Sequence, residues 1–259
     1  MSDTPLLQLR EITKTFGSVE ALTAVDFEAR AGEVMALVGD NGAGKSTLVK
    51  CIAGTHAPDS GSILFEGNEV HIHGPKDAAR LGIEVVYQDL ALCDNLDVVQ
   101  NMYLGREVNR LQILNEAAME ENTASTLKSL AVTTIKSIRQ PVATLSGGQR
   151  QSVAVAKAVQ WNSKVAVLDE PTAALGVAQT EQVLALVRRL GEQGLAVVLI
   201  SHNLHDVFET ADRITVLRLG RNVGIFDRRS TTQQDVVEAI TAGVPTKVAG
   251  IAATAGAGG

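Results

Sequence analysis

Residues 39–47, with the sequence GDNGAGKST, follow the apolar run EVMALV and precede a stretch with a helical pattern. Their spacing is G-x-x-x-x-G-K-[ST], in which glycines let backbone N–H groups approach phosphate oxygens and the helix start adds a favourable dipole. We expect Lys45 to reach the terminal phosphates as a cation and the Ser46 hydroxyl to complete a Mg²⁺ shell. The predicted phosphate-binding residues are Gly39, Asp40, Asn41, Gly42, Ala43, Gly44, Lys45, Ser46 and Thr47.

Two acids end a second apolar run, KVAVLDE at residues 164–170. Burial of an unpaired carboxylate is costly, so we expect both acids at the C-terminal mouth of a strand, beside a cation. Asp169 would support Mg²⁺ through its water shell, and Glu170 would orient and deprotonate an attacking water. A pair of acids that only caps a helix is the alternative, and Lys45 on the same sheet favours the catalytic interpretation.

The segment LSGGQ, residues 145–149, precedes another helical pattern. Ser146 fits an N-cap, and the two glycines expose backbone N–H groups at a helix start, which makes a second anion site. Since one nucleotide in one chain does not need two such sites, we predict a two-fold dimer in which this loop covers the γ-phosphate held by the other subunit. The alternative is an ordinary helix start. The residues of this predicted site are Ser146, Gly147, Gly148 and Gln149.

Apolar runs rich in β-branched residues predict the strands that position these groups. Each fits a strand buried on both faces, and helical patterns lie between the later ones, which predicts a parallel α/β sheet. The predicted strands are residues 33–39, 164–170, 195–202 and 213–219.

The flanking segments differ from this parallel pattern. Residues 6–32 and 60–74 fit shorter antiparallel strands, the second with a hairpin turn at Gly67-Asn68. From about 90 to 141 the pattern is mostly helical, which predicts an insertion between sheet elements. The Gly/Ala-rich tail, residues 244–259, is predicted to be disordered.

The composition is typical of a globular chain with a large aliphatic core: 45% apolar, 20% charged and 3% aromatic residues among 259. A formal net charge of −6 argues against a nucleic-acid groove or an anionic membrane surface, but it excludes neither because charge can be local. Cys51 and Cys93 are too few for a disulfide scaffold and indicate a reducing compartment. We see no secretion signal and no apolar run of the about 20 residues that span a bilayer, so we expect a membrane role to need a spanning partner.

Five segments together resemble one protein family. GDNGAGKST, VYQD, LSGGQ, VLDEP and ISH occur in the order and approximate spacing of the nucleotide-binding subunit of ABC transporters, over nearly the whole chain to about residue 243. The resemblance implies an α/β fold: a P-loop NTPase parallel sheet core with an antiparallel β-subdomain and a helical insertion subdomain at about 90–141. It implies ATP and Mg²⁺ as ligands, and an ABC-type ATP-binding domain over residues 1–243.

The resemblance also assigns roles to single residues. His202 corresponds to the switch histidine that contacts the γ-phosphate and would act with Glu170 in catalysis. Gln88 corresponds to the glutamine that couples the nucleotide site to the transmembrane partner, and would join Ser46 and Asp169 around Mg²⁺. Taken alone, Gln88 is more simply a surface amide.

An aromatic residue and a glycine complete the comparison with the family. Phe16 falls where an aromatic ring stacks on adenine, although taken alone it is more simply a core residue. The segment AALG, residues 173–176, departs from the family pattern, because Gly176 stands where an aspartate is usual. This departure puts cross-subunit signalling through that loop in question, but not ATP binding.

The resemblance implies an ATP hydrolase that energises import of a sugar through a separate permease. Residues 85–107 and 170–183 resemble the sugar-uptake branch, of the ribose, xylose and fructose type. The implied partners are a second copy of the chain, transmembrane permease subunits and, indirectly, a periplasmic or extracellular sugar-binding protein, with no nucleic acid. The implied location is peripheral, on the cytoplasmic side of the cell membrane.

Two other functional classes and three smaller candidates stay open at this point. An ATPase of the same fold that acts on nucleic acid or ribosomes would be expected to carry a heptad insertion, a basic arm or a tandem copy. A regulatory module without turnover fits less well, because both catalytic positions are filled. His71 and His73 alternate and could share a metal, but a solvated strand edge is simpler. Cys51 fits a small buried hydrophobe and Trp161 a packing residue.

Overall fold

The structure is a computed structural model that describes residues 4–110 and 113–243. Its strands form a four-stranded antiparallel sheet, a six-stranded sheet and a two-stranded ribbon. The strands are β1 (Leu7–Phe16), β2 (Val19–Ala29), β3 (Val34–Val38), β4 (Ser60–Phe65), β5 (Asn68–Val70), β6 (Ile83–Val86), β7 (Asn109–Arg110), β8 (Ile113–Leu114), β9 (Val165–Asp169), β10 (Ala196–Ile200), β11 (Arg213–Arg218) and β12 (Arg221–Asp227).

Helices connect these strands, and short 3₁₀ turns cover Val142–Thr144 and Arg228–Ser230. The α-helices are α1 (Lys45–Ile52), α2 (Pro75–Leu81), α3 (Val98–Tyr103), α4 (Glu116–Ser129), α5 (Gly147–Val159), α6 (Val177–Glu192), α7 (Leu204–Thr210) and α8 (Gln233–Ala242). None of the helices in the described part of the chain is both long and apolar enough to cross a bilayer.

The six-stranded sheet has the order β12-β11-β3-β10-β9-β6, and all its pairings are parallel except that of β12 with β11. Every residue of β3 and β10 is buried, as expected for strands covered on both faces. The predicted parallel sheet is therefore confirmed. Strands β6 and β12 are additions to the prediction, because one is four residues long and the other carries polar residues and a glycine.

The antiparallel sheet has the order β2-β1-β4-β5. It confirms the predicted β-subdomain, but the hairpin between β4 and β5 turns one residue earlier than predicted. Phe65 pairs with Asn68, so the turn residues are Glu66 and Gly67, with φ angles of 52° and 79°. These two positive φ angles fit a type I′ turn, in which Asn68 already belongs to the strand.

Two apolar cores lie on opposite faces of the six-stranded sheet, and side chains of β3 alternate between them. Ala36 and Val38 face the core formed with helices α3 to α8. Met35 and Leu37 face the core shared with α1, α2 and the antiparallel sheet. The sheet is thus the middle layer that joins the two halves of the molecule.

The predicted helical insertion at 90–141 contains α3 and α4. It also contains the ribbon β7-β8, in which each strand has two residues. The sequence pattern of this segment is mostly helical and does not predict the ribbon. The predicted disordered tail, residues 244–259, lies outside the described residues.

Candidate functional site

The predicted site residues other than Phe16 and the LSGGQ segment lie at the carboxyl ends of four neighbouring strands. In their order across the sheet, β3 leads into the loop 39–47, β10 leads to His202, β9 leads to the pair Asp169-Glu170 and β6 leads to Gln88. Because parallel strands end at the same edge of a sheet, four segments that are distant in sequence converge there.

The phosphate loop, residues 39–47, is held between β11 and β2 in a backbone conformation that glycine allows. Gly39 has a φ of 150°, and a Cβ atom there would lie 2.2 Å from the carbonyl oxygen of Leu217. Gly44 has a φ of 102°, and its Cβ would lie 2.7 Å from the carbonyl oxygen of Ala21. Both positions require glycine for conformation and for space.

The turn between β11 and β12 links this loop to the antiparallel sheet. The Gly220 N–H donates to the carbonyl oxygen of Ala43 at 3.1 Å, and the Gly220 carbonyl accepts from the Thr23 N–H at 2.8 Å. This turn cannot be recognised from the sequence, because nothing in its residues points to a partner almost 200 positions away.

Helix α1 begins at Lys45 with no side-chain cap and no acidic residue in its first turn, which leaves its N-terminal amides available to an anion. The Lys45 amine folds back on its own loop, where Nζ donates to the carbonyl oxygens of Gly39 at 2.6 Å and Asp40 at 3.0 Å. Burial lowers the pKa of Lys45, while Glu170, Asp40 and Asp169 act in the opposite direction. The cation thus lies within electrostatic reach of both predicted catalytic-site acids.

The two acids also influence each other. Burial raises the pKa of Asp169, the charge of Glu170 raises it further, and Lys45 and Lys50 oppose the rise. Glu170 has a φ of 50°, which is rare for a residue with a side chain, and its N–H donates to the carbonyl oxygen of Ile200 in β10 at 3.0 Å. The backbone is therefore turned sharply where the strand ends, and the pairing with β10 holds it there.

Glu170 meets His202 across the ends of β9 and β10. The Nδ1 atom of His202 lies 2.8 Å from Oε2 of Glu170. The imidazole is 71% exposed and the carboxylate 16% exposed, so the histidine forms the outer side of the pair. His202 and residues 39–41 also line a cavity of about 700 Å³ that Val237 and Ile240 of α8 close on the other side.

The LSGGQ segment caps α5 as predicted. The Ser146 hydroxyl accepts from the Gln149 N–H, the Gln149 side chain accepts from the Ser146 N–H at 2.9 Å, and the Gln149 amide donates to the carbonyl oxygen of Thr134 at 2.7 Å. Within residues 4–110 and 113–243, no hydrogen bond or ion pair joins 146–149 to the phosphate loop.

The glycines of this segment have a packing role that sequence reasoning missed. A Cβ at Gly147 would lie 2.9 Å from Cδ2 of Leu175, and a Cβ at Gly148 would lie 3.0 Å from Cβ of Gln179. The starts of helices α5 and α6 can therefore approach each other closely, because Gly147 and Gly148 of α5 have no side chains.

Phe16 lies at the exposed end of β1, and the residue is 44% exposed, so its interpretation as a core residue is wrong. Lys14 Nζ lies 5.6 Å from the ring centroid, and the ring of His56 makes an edge contact at 5.2 Å. Asp59 accepts from Lys14 Nζ at 2.7 Å and from the Thr15 N–H and hydroxyl at 2.7 and 2.8 Å. These bonds lower the pKa of Asp59 to about 2 and fix the backbone beside Phe16. Sequence reasoning missed Asp59.

Three minor candidates have plain structural surroundings. His71 and His73 follow β5 with ring centroids 6.3 Å apart, and the described residues contain no cluster of three or more metal-ligating acids, histidines or cysteines. Burial raises the pKa of Cys51 to about 11, which makes its thiol a poor nucleophile. Trp161 packs edge-on against Tyr103, 5.4 Å between centroids.

Comparison with known proteins agrees with this geometry. The model of the family described as ABC transporter matches residues 22–173, which include the phosphate loop, Gln88, the LSGGQ segment and both acids. This match covers more than half of the chain. The chain belongs to the ABC transporter family.

Two curated relatives resemble this ABC transporter protein over almost its whole length. It is 46% identical to the fructose import ATP-binding protein FrcA of Rhizobium meliloti, covering 93% of this chain and 95% of the relative. It is 47% identical to the xylose/arabinose import ATP-binding protein XylG of Sulfolobus acidocaldarius, with the same coverage. A solved nucleotide-free ATP-binding cassette from an ABC transporter is 26% identical with a TM-score of 0.77, covering 86% of this chain and 92% of that one. The predicted family and fold class are confirmed.

The departure from the ABC transporter pattern at Gly176 is not imposed by the backbone. Gly176 is the N-cap of α6 with a φ of −75°, it makes no side-chain cap, and a Cβ there would meet nothing within 4 Å. An aspartate would therefore fit, and its absence removes a charge from the surface beside the LSGGQ segment.

A magnesium ion suits the donor set at the edge of this ABC transporter sheet. The Ser46 hydroxyl, the Gln88 amide oxygen and the Asp169 carboxylate are hard oxygen donors of the kind that Mg²⁺ prefers. Burial and the neighbouring Glu170 raise the pKa of Asp169, so a divalent cation would offset the repulsion between the two acids. The residues present therefore fit the ion.

Proposed function

We propose that this chain is the ATP-binding and hydrolysing subunit that energises import of a sugar through a separate transmembrane permease. The observation that carries the proposal is the Glu170–His202 contact beside Lys45, because it joins a base, an orienting group and a phosphate-binding cation at one edge. The import function named for both relatives supports the sugar, and no named relative supports action on nucleic acid or ribosomes.

The nucleotide would extend from the antiparallel sheet to the phosphate loop. Phe16 offers its exposed face to the adenine, and backbone amides of residues 39–47 with Lys45 bind the phosphates. Ser46, Gln88 and, through water, Asp169 would hold a magnesium ion, which supplies charge neutralisation and a Lewis acid at the phosphates when bound.

Glu170 acts as the general base in this proposal. Its carboxylate accepts a proton from the water that attacks the terminal phosphate. When both ring nitrogens of His202 carry hydrogen, Nδ1 donates to Glu170 and Nε2 can donate to a phosphate oxygen. The histidine would thereby tie the base to the group that is attacked.

A second copy of the chain would complete each site. The LSGGQ residues Ser146, Gly147, Gly148 and Gln149 form a helix start that does not bond the phosphate loop of its own chain. We infer that they cover the phosphates bound by the partner, so that ATP forms part of a homodimer interface. Gly176 would lie beside this interface without the usual carboxylate.

The permease would contact the surface that follows Gln88, including residues 90–106. There a cavity of about 230 Å³ is lined by Leu90, Met102 and Trp161 among others. The buried side chain of Asn101 fixes the loop before α3: it accepts from the Cys93 N–H at 2.7 Å, and its amide contacts the carbonyl oxygens of Cys93, Leu96 and Asp97 at 2.9 to 3.2 Å. A fixed loop next to Gln88 can transmit movement of the nucleotide site.

We infer the rest of the assembly from the resemblance to the import subunits. Residues 1–243 form the ATP-binding domain, with the helical insertion at about 90–141, and bind peripherally on the cytoplasmic side of the membrane. A sugar-binding protein on the outer side would deliver the sugar to the permease.

Reconstitution tests this function. Liposomes that carry the chain and its permease are expected to take up sugar only when Mg-ATP is present on the side of the membrane where the chain is bound. Glu170→Gln should abolish this uptake without preventing assembly of the chain with the permease. Cysteine crosslinking tests the contact surface with two exposed apolar positions: Leu104, 41% exposed, should link to the permease, and Val19, 62% exposed in the antiparallel sheet, should not. ATP hydrolysis that needs nucleic acid or ribosomes instead of a permease would overturn the proposal.

A further inference from the structure

A buried carboxylate lies behind the Glu170–His202 pair. Asp206, in the first turn of α7, is only 1% exposed. Its Oδ2 accepts from the Thr172 hydroxyl at 2.6 Å, and its Oδ1 accepts from the Asn203 amide at 2.9 Å. Both oxygens of the carboxylate are thus engaged by side-chain donors from two different segments.

These two segments carry the proposed catalytic groups. Thr172 lies two residues after Glu170, in a tight turn where the Ala173 N–H donates to the Glu170 carbonyl oxygen at 3.1 Å. Asn203 directly follows His202. A displacement of either segment therefore moves Glu170 relative to His202.

Asn203 is itself fixed on both sides. Its N–H donates to the Ser201 hydroxyl at 3.0 Å, and its side-chain oxygen accepts from the His205 N–H at 3.0 Å as the N-cap of α7. Since the amide of Asn203 points to Asp206, the segment after β10 has little freedom once that bond is made. The contacts close a ring: Glu170 to His202 on the outside, and Thr172 through Asp206 to Asn203 on the inside.

We propose that Asp206 is a positioning residue that fixes the distance between Glu170 and His202. The proposal rests on the proposed function of those two residues as the hydrolytic pair. A carboxylate suits this position because both partners are donors, whereas an amide of the same shape would turn its own NH₂ toward one of them. Asp206 touches neither nucleotide nor water in this role.

Asp206→Asn tests the proposal, with Asp212→Asn as the control. Asp212 is exposed, and its side chain accepts one bond from a distant segment, from the Val34 N–H at 2.9 Å, at the opposite edge of the sheet. Asp206→Asn is expected to lower kcat for ATP hydrolysis by about tenfold to about 100-fold, since small displacements of reacting groups have effects of this size. KM and the affinity for a non-hydrolysable ATP analogue should stay within about twofold of the parent. Asp212→Asn should change none of these.

A second variant guards against a folding defect. Thr172→Val keeps the shape of the side chain but removes one of the two bonds to Asp206, so it should lower kcat in the same direction. The double variant Asp206→Asn/Thr172→Val should be no slower than Asp206→Asn alone, because both changes break the same link.

A measurement without nucleotide completes the test. The ¹⁵N chemical shift of His202 Nδ1 reports its hydrogen bond to Glu170, and it should change in Asp206→Asn and not in Asp212→Asn.

A parent protein that fails to hydrolyse ATP would overturn the proposed function, while this shift would still decide the role of Asp206. An active parent with unchanged kcat and an unchanged His202 signal in Asp206→Asn would overturn the inference, as would equal losses of kcat, analogue affinity and melting temperature.

Discussion

The imidazole of His202 contacts the carboxylate of Glu170, with 2.8 Å between Nδ1 and Oε2. The two residues end neighbouring parallel strands, and Glu170 reaches the contact through a backbone with positive φ. The exposed histidine and the largely buried acid therefore form a hydrogen-bonded pair, which would hold the proposed base in a defined position.

Replacing Glu170 by Gln keeps the shape of the side chain but removes the proposed base. The variant is expected to bind Mg-ATP, to hydrolyse it about 100-fold to about 10,000-fold more slowly and to accumulate as an ATP-bound dimer. Lys45→Ala should lose both ATP binding and the dimer. Sedimentation with and without Mg-ATP measures the outcome, and a Glu170→Gln protein that stays monomeric at saturating ATP would contradict the shared site.

The glycines of the phosphate loop should differ in their tolerance of alanine. Gly42 has a φ of 80° and nothing within 4 Å of an added Cβ, so Gly42→Ala should lower the free energy of unfolding by about 1–2 kcal/mol through backbone strain alone. Gly39→Ala adds a collision with the Leu217 carbonyl and should cost more and weaken ATP binding. Chemical denaturation of both variants measures this difference. Equal losses would show that the loop moves away from β11 freely.

Phe16 should contribute to binding of the base and not of the phosphates. Phe16→Ala is expected to weaken ATP binding by about 1–3 kcal/mol, the usual range for a stacked base, and to leave binding of tripolyphosphate unchanged. Asp59→Asn should act in the same direction but less, because Asp59 supports the backbone and the Lys14 cation beside the ring. Calorimetry with both ligands tests this, and a parallel loss of tripolyphosphate binding would argue against stacking.

The support from Asp59 should also depend on pH in a defined direction. Lys14 and Thr15 hold the pKa of Asp59 down to about 2, so the contribution is present above about pH 4 and is lost as the pH falls toward 2. When the free energy of unfolding is measured over a series of pH values, the Asp59→Asn protein should lack this loss of stability at low pH.

Asp169→Asn is expected to stabilise the nucleotide-free protein while it lowers ATP hydrolysis. Burial and Glu170 raise the pKa of Asp169, so the folded protein disfavours its charge and becomes more stable as the pH falls through this raised value. Removing the charge should give the protein this extra stability already at neutral pH. The stability of the variant should therefore depend less on pH in this range. Melting temperatures from pH 4 to 8 measure it, and a lower melting temperature at pH 7 in the variant would contradict the electrostatic argument.

The sequence predicted the parts of the molecule whose signals are local. The apolar runs of β3, β9, β10 and β11 are long and rich in β-branched residues, and the phosphate loop has glycines and a lysine at fixed spacing. Strand β6 could not be predicted because four residues with a glutamate in the middle give no pattern. The predicted hairpin turn is displaced by one residue because Asn68 is far more typical of such turns than Glu66.

The supporting groups could not be predicted, because they act through contacts between distant segments. Asp206 is 34 residues from Thr172, and Asp59 is 44 residues from Thr15. In each case an aspartate in a polar stretch looks like any surface acid until the fold brings a donor to it. The packing of Gly147 against Leu175 likewise depends on how two helices meet and not on the LSGGQ residues themselves.

The two bonds of Gly220, to Ala43 and to Thr23, tie the phosphate loop to the antiparallel sheet. If Phe16 stacks the base, the separation between the base and the phosphates is then a constant of the fold. Movements of the helical insertion would then leave this span unchanged. The site would therefore select nucleotides by length, favouring purine nucleotides whose phosphates reach the loop over a monophosphate.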